Sequence, residues 1–151
     1  MIYLDYNSAE KKIKEIISSK DSSIVLQAVV DFLCESFDYY SWVGIYIVKG
    51  NYLILGPWKG PCATEHTKIP IGRGVCGSAA STGKTEIVDD VTKDSRYLSC
   101  FITTKSEIVV PIKKNGKIIG EIDIDSDEPA AFSDEDVVFL EKITDMLQEH
   151  I

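Results

Sequence analysis

The chain has 151 residues, of which 44% are hydrophobic and 26% are charged, and its 24 acidic side chains outnumber 16 basic ones to give a net charge of −8 at pH 7. That charge argues against binding to nucleic acid or to an anionic membrane surface, and every apolar run is shorter than the roughly 20 residues of a membrane-spanning helix. The length suits one domain, which we place at residues 1–151. The N-terminus lacks the apolar core and cleavage site of a secretory signal, so we expect a cytoplasmic protein.

Helices are predicted at both ends of the chain, where apolar side chains recur at helical spacing after a residue suited to cap an N-terminus. The first segment is residues 8–19, with Ser8 as the candidate cap. The second follows Asp21 or Ser22, either of which can be its cap, and the third is residues 133–150 with Ser133 as the cap. In the last segment, Asp136 stands three positions after the cap, which resembles a capping box with Asp in place of Glu or Gln.

The middle of the chain predicts strands separated by turns. The strands are expected at residues 42–48, 52–55, 68–71, 86–88, 106–112 and 117–125. Glycines and prolines predict a loop over residues 56–66, and GRGVCGSAAS at residues 72–81 predicts a turn that leads into a helix. Residues 89–105 form a long polar connection, which in a compact domain is often functional. Helices, then mostly antiparallel strands, then a helix indicate the α+β class.

The KNGK turn between the last two strands admits two geometries with opposite consequences. A two-residue loop would pair Lys114 with Lys117 and set apolar side chains against carboxylates. A three-residue loop with Gly116 as a bulge would pair Lys113 with Lys117 and set apolar side chains against each other. Because a slip of one residue moves a whole set of side chains to the wrong face, the hydrophobic pattern favours the three-residue loop.

The favoured register gathers acidic side chains on the face opposite the core. It places Glu107 directly across from Asp123, with Glu121 and Asp125 in line along the same strand. A solvated strand face is the ordinary interpretation of such a pattern. However, like charges that face each other destabilise a strand pair, so a cluster this dense indicates a cation or an ammonium group that binds there.

The cysteines form no C-x-x-C motif and have no paired histidines, so we expect no metal site. Cys34 continues the apolar face of the second predicted helix and is expected in the core. Cys76 lies in the first turn of the helix after GRGVCG, where the N–H groups of the turn can bind an anion and the helix dipole and Arg73 can lower the pKa of the thiol. Cys100 lies in the long connection, where a disulfide with Cys76 is feasible.

Several segments resemble, in this order, the GAF-domain free methionine-(R)-sulfoxide reductases. They are SWVGIY, LGPWKG, IPIGRGVCG, CFITTKSEIVVP and GEIDIDSD, spread over residues 39–147. The resemblance implies a GAF domain in which a central, mostly antiparallel sheet carries the N- and C-terminal helices on one face and the active-site loops over the other. It also implies an enzyme that reduces the R-sulfoxide of free methionine, and a homodimer formed through the terminal helices.

In that family the cysteine that matches Cys100 attacks the sulfoxide sulfur and becomes a sulfenic acid. The resemblance implies that Cys76 or Cys62 then closes an intramolecular disulfide, which thioredoxin reduces as an external reductant without a bound cofactor. The matching acids would hold the substrate ammonium group and help supply a proton, and the matching aromatics would enclose the methyl-sulfur end. These substrate-binding residues are Trp42, Tyr46, Glu107, Asp123 and Asp125.

Two alternatives remain open at this point. Family members carry a cysteine about ten positions before the one that matches Cys76, whereas this chain has His66 there and Cys62 four residues earlier. The identity of the resolving thiol is therefore open. Many GAF domains are also non-catalytic sensors of small molecules or of redox state, and this is the second functional hypothesis.

Overall fold

The computed structural model describes residues 5–98 and 101–151. Its helices are α1 (Tyr6–Ser19), α2 (Ser22–Ser36), α3 (Gly74–Thr82) and α4 (Asp134–Leu147). Its strands are β1 (Trp42–Lys49), β2 (Tyr52–Lys59), β3 (Lys68–Pro70), β4 (Glu86–Val88), β5 (Ser106–Lys114) and β6 (Lys117–Ser126). Short 3₁₀ turns lie at Val91–Lys93 and Gln148–His150. Within the described residues, no helix is long and apolar enough to cross a membrane.

Side-chain caps determine where the terminal helices begin. The carboxylate of Asp5, not Ser8, caps α1, because it accepts the backbone N–H of Ser8 at 2.7 Å. Helix α1 therefore begins two residues earlier than predicted. The predictions of Asp21 as the cap of α2 and of a capping box between Ser133 and Asp136 in α4 are confirmed.

Strand β2 runs on to Lys59, so the loop predicted over residues 56–66 begins at residue 60 and not at residue 56. The register of β2 against β1 shifts by one residue opposite Ile45, where Gly56 and Pro57 together occupy the place of one residue. A bulge of this kind accommodates a proline, which has no N–H to donate to the neighbouring strand. The strand resumes beyond the bulge and pairs Trp58 with Gly44.

The strands form one antiparallel sheet in the order β3-β2-β1-β6-β5-β4. Helices α1, α2 and α4 pack on one face, as predicted, and bury the main apolar core between them and the sheet. Its fully buried members include Ile13, Leu33, Ile45, Ile108, Ile124 and Leu140. Helix α3 and the connection after β4 cover part of the other face with a second, smaller apolar cluster.

The turn between β5 and β6 is the two-residue loop that the sequence analysis rejected. Asn115 and Gly116 have φ angles of 53° and 76°, and Lys114 pairs with Lys117. Both central residues lie in the left-handed region, which matches the right-handed twist of the two strands. The predicted pairing of Lys113 with Lys117 is therefore wrong.

A bulge corrects the register just beyond this turn. Ile112 pairs with Gly120, whereas the next residue, Lys113, pairs with Ile118, so Ile119 is the extra residue. The bulge sets the apolar side chains of the two strands against each other, as expected from the hydrophobic pattern. It also places Glu107 opposite Asp125 and not opposite Asp123.

Candidate active site

Four acidic side chains lie together on the sheet face opposite the main core. The cross-strand pairs that define this face are Trp42 with Asp125, Gly44 with Asp123, Tyr46 with Glu121 and Glu107 with Asp125. None of the four acids exposes more than 4% of its surface. The acids are therefore not the solvated strand face of the ordinary interpretation. We call this set, Glu107, Glu121, Asp123 and Asp125, the acid cluster.

Several oxygens of the acid cluster have no hydrogen-bond partner at bonding distance among the residues that the structure describes. They are both carboxylate oxygens of Glu121, both of Asp125, and Oδ1 of Asp123. Burial raises the pKa of Glu121 and of Asp125 well above the usual range, and the charge of Asp123 adds to both shifts. Burial also raises the pKa of Asp123, against hydrogen bonds with Glu107 and Cys76 that lower it. Because an isolated buried carboxylate is costly, this face favours protons or a bound cation.

Cys76 places its thiol directly over the acid cluster. It lies in the first turn of α3, as predicted, with Sγ 4.0 Å from Oε2 of Glu107. Burial raises the pKa of the thiol well above its usual range, and Asp123, Glu121 and Glu107 raise it further, in that order. The expectation that Arg73 and the helix dipole lower this pKa is wrong.

The reason is the difference in solvent exposure between Arg73 and the acids. Arg73 is exposed at the N-cap of α3, where water screens its charge, whereas the acids are buried beside the sulfur.

The glycine-rich turn before α3 uses part of its own hydrogen-bonding capacity. Gly72 and Gly74 take left-handed φ angles of 97° and 70°. Within the turn, the N–H of Gly72 donates to the carbonyl of Gly77 at 2.8 Å, and the N–H of Gly77 donates to the carbonyl of Arg73 at 2.9 Å. These two N–H groups cannot also bind an anion, which reduces the predicted set of donors.

Trp42 covers the other end of the acid cluster. Its indole lies over Gly44, where an added Cβ would come within 2.3 Å of the ring. The ring stacks on Trp58 at 6.1 Å between centroids and contacts Phe101 at 5.9 Å. Trp42 lies on the predicted face, whereas Trp58 and Phe101 are not among the predicted site residues. Both stand in the segments LGPWKG and CFITTKSEIVVP, and their bulk was the available signal.

Tyr46 connects the sheet to the loop before β3. Its side chain lies on the same face as Trp42, as predicted, and its hydroxyl donates to the backbone carbonyl of His66 at 2.7 Å. Between this loop, α3 and the acid cluster there is a cavity of about 10 Å³, room for about one water molecule. Its lining includes Tyr46, His66, Val75, Cys76, Glu107 and Asp123.

A larger groove of about 300 Å³ lies on the outer surface between α1 and α4. It is lined by Tyr6, Glu10, Val138 and Lys142 among others, and these residues lie on the helical side of the sheet. The acid cluster is on the opposite side. The described lining of the larger groove therefore contains none of the acidic or thiol groups of the acid face. The small cavity beside Cys76 is the candidate active site.

The remaining cysteines differ in their surroundings. Cys34 is half-buried against the main core, as predicted, and its thiol donates to the backbone carbonyl of Tyr40 at 3.5 Å. Cys62 is exposed in the segment between β2 and β3. Cys100, the predicted nucleophile, lies outside the described residues.

Comparisons with known proteins agree with this architecture. The GAF domain family matches residues 21–151. The chain is 45% identical over 113 residues to a free methionine-R-sulfoxide reductase of Saccharomyces cerevisiae, covering 72% of this chain and 62% of that protein. It is 35% identical over 117 residues to the enzyme of the same name from Escherichia coli, covering 78% of this chain and 70% of that protein.

A solved structure is similar over nearly the whole length. It is the free methionine-R-sulfoxide reductase of Neisseria meningitidis in complex with its substrate, with a TM-score of 0.90 and 32% identity over 99% of this chain and 93% of that one. The fold is thus that of a GAF domain. The chain belongs to the GAF-domain free methionine-R-sulfoxide reductase family.

Proposed function

We propose that this protein, an oxidoreductase by family, reduces free methionine-R-sulfoxide to methionine with Cys100 as the nucleophile. The acid cluster is the observation that supports this proposal most directly. It offers buried carboxylate oxygens without partners on a face that also carries aromatic side chains. A free amino acid brings an ammonium group with three N–H donors, which is the complement of such a cluster.

The two ends of the substrate have separate counterparts in the site. Glu107, Asp123 and Asp125 are proposed to accept the ammonium N–H groups, and the positive charge offsets the cost of their burial. Trp42 and Phe101 are proposed to contact the methyl-sulfur end, because sulfur packs favourably against aromatic rings. The proposal thereby assigns every predicted substrate-binding acid to one group of the ligand.

Both sequence neighbours of the Ser99-Cys100 dipeptide contact the site. Leu98 lines the small cavity, and Phe101 packs against Trp42. This supports the assignment of Cys100 as the thiol that meets the substrate. Its thiolate bonds to the sulfoxide sulfur; the oxygen, with one proton, then passes to the cysteine sulfur as the sulfur–sulfur bond breaks, which leaves methionine and a cysteine sulfenic acid.

Departure of oxygen from sulfur requires a proton. Burial raises the pKa of Glu121 well above its usual range, so this carboxyl group, which the ammonium is not proposed to contact, is the proposed donor of a proton to the sulfoxide oxygen. The bound ammonium keeps the acids that it contacts ionised, whereas an acid beyond its reach stays protonated. One cluster thus supplies both the charge and the proton.

Methionine sulfoxide is larger than a cavity of about 10 Å³. Binding is therefore proposed to displace the contacts that cover the acids, in particular the hydrogen bond from Tyr46 to the carbonyl of His66. The cavity volume of about 10 Å³ is therefore that of the protein without its substrate.

The sulfenic acid is proposed to condense with a second thiol, which forms a disulfide and releases water, and thioredoxin then returns the dithiol while its own dithiol is oxidised. Cys76 is at the site but its raised pKa disfavours the attacking thiolate. Cys62 is exposed and accessible to an external reductant. Peptide mapping of the disulfide after one turnover distinguishes the two thiols.

Assembly into a homodimer is proposed to use the outer surface of α1 and α4. Val138 exposes 55% of its surface there, beside the groove between the two helices. Static light scattering on wild type and Val138→Glu tests this part of the proposal. A wild-type monomer would contradict it.

The activity itself is tested with thioredoxin, thioredoxin reductase and NADPH. We expect NADPH oxidation with free methionine-R-sulfoxide and none with the S epimer. Cys100→Ser should abolish even one stoichiometric turnover, and Cys34→Ser, which removes a thiol outside the site, should retain activity. Tight binding of the sulfoxide by wild type without turnover would contradict the proposal and favour a non-catalytic sensor.

A further inference from the structure

One group of side chains at the site contains more ligand atoms than an ammonium group needs. Cys76 Sγ and carboxylate oxygens of Glu107 and Asp123 all lie within 4.8 Å of one another, and all three residues are buried. Oδ1 of Asp123 has no hydrogen-bond partner within residues 5–98 and 101–151. The proposed amino-acid site uses the two acids but gives the sulfur no contact in the first step.

Glu121 provides a second and independent observation. It is fully buried beside this group, and among the described residues its carboxylate oxygens meet no donor other than the thiol of Cys76. The ion pairs found among the described residues involve other carboxylates. Because an unpaired buried carboxylate is costly, its position beside a thiol and two further acids points to a cation.

The combination of donors restricts which cation fits. Mg²⁺ and Ca²⁺ take oxygen ligands, whereas a site with one sulfur and several oxygens suits a borderline-soft divalent ion such as Zn²⁺. Zn²⁺ binds sulfur at about 2.3 Å and carboxylate oxygen at about 2.0–2.2 Å. The three ligand atoms therefore need to approach one another by roughly 1 Å, which is within the range of small side-chain rotations. The adjoining cavity has room for about one water molecule as a fourth ligand.

We infer that Cys76, Glu107 and Asp123 form a binding site for Zn²⁺ or a similar divalent ion, with Glu121 as a neighbouring acid that strengthens it. The thiol proton and any carboxyl protons pass to the solvent when the ion binds, so charge and atoms balance without a redox step. The inference concerns binding of an ion and does not require the proposed reductase activity.

The ion and the amino acid would exclude each other, a consequence that does rest on the proposed function. Glu107 and Asp123 belong to both sites, and metal-bound Cys76 cannot form a disulfide. Zn²⁺ would therefore inhibit the reductase in competition with methionine sulfoxide.

Co²⁺ provides the spectroscopic test, because a thiolate bound to Co²⁺ gives a charge-transfer band that carboxylates alone do not give. We expect reduced wild type to show this band with saturation at one equivalent of CoCl₂, and ZnCl₂ to remove it. Cys76→Ser should lose the band, whereas the matched variants Cys62→Ser and Cys100→Ser should retain it. Asp123→Asn and Glu121→Gln should each raise the dissociation constant at least tenfold.

A measurement on wild type alone guards against a variant that fails to fold. A crystal soaked in CdCl₂ should show an anomalous peak between Cys76 Sγ and the carboxylates of Glu107 and Asp123. Absence of the Co²⁺ band in reduced wild type, its survival in Cys76→Ser, or an anomalous peak only at Cys62 would each overturn the inference.

Discussion

The two faces of the sheet come from the same strands and have opposite chemistry. On β5 and β6, Ile108, Ile122 and Ile124 point into the main core, whose other members include residues of α1, α2 and α4. Glu107 and Asp123, which are adjacent in sequence to these isoleucines, point to the other face. Both faces are almost completely buried, so exposure does not distinguish them. What distinguishes them is whether each buried group has a partner.

On the core face, every buried apolar group has apolar neighbours, and burial contributes directly to stability. On the acid face, buried carboxylate oxygens lack partners and burial is unfavourable. A protein has no reason to retain such a face for stability alone, and unfavourable burial is typical of sites that bind a ligand. Substitutions on the two faces should therefore have opposite effects.

The largest effect on stability is expected on the core face. Ile124→Ala should lower the free energy of unfolding by about 2–5 kcal/mol, because it removes buried methyl groups and leaves a cavity. Urea denaturation measures this change. Ile24→Ala, at a site with 49% exposure outside the groove between α1 and α4, is the control and should change the free energy by less than about 0.5 kcal/mol. Similar changes in the free energy of unfolding for the two variants would contradict the claim that burial on the core face contributes to stability.

The next effect is on activity and concerns the acid face. Asp125→Asn should lower kcat/KM for free methionine-R-sulfoxide about 100-fold, equivalent to about 2.7 kcal/mol, because it removes a charged acceptor of the ammonium group. The free energy of unfolding should not fall, since burial raises the pKa of this carboxyl group and the neutral amide avoids the cost of a buried charge. Asp127→Asn, two residues further and exposed, is the matched control. Unchanged kinetics in Asp125→Asn would remove this residue from the site.

The alternation of apolar and acidic residues was sufficient to predict which side chains share each face. That prediction depends only on the period of two along a strand. It could not locate the bulge at Ile119, because one inserted residue leaves the alternation on both sides intact. The acids were therefore assigned to the correct face, but Glu107 was paired with Asp123 when its partner is Asp125.

The pKa of Cys76 was predicted in the wrong direction for a related reason. The sequence shows Arg73 three residues away, but the acids that surround the sulfur come from β5 and β6, more than 30 positions later. Local sequence gives the helix position of the thiol, and only the tertiary fold gives its electrostatic surroundings. The same limit explains why Phe101, distant in sequence from Trp42, was not selected.

The smallest effect expected is the pH dependence of stability at Glu121. Cys76 and Tyr46 face this residue from the neighbouring elements, and Asp123 lies two positions along its own strand. Burial, and then the charge of Asp123, raise the pKa of Glu121 in the folded state above its value of 4.5 in the unfolded chain. Its contribution to stability is therefore fully present below pH 4.5 and is lost as the pH rises through the folded-state pKa.

An amide at position 121 does not titrate, so Glu121→Gln should become more stable relative to wild type as the pH rises. We expect the difference in the free energy of unfolding to grow by about 1–2 kcal/mol between pH 5 and pH 8, the scale of an unpaired buried polar group. Urea denaturation in metal-free buffer measures it, with the exposed Glu128→Gln as the control. Parallel pH profiles for wild type and Glu121→Gln would show that other interactions already offset the cost of burying this carboxylate. Glu121 would then not differ from the residues of the core face in this respect.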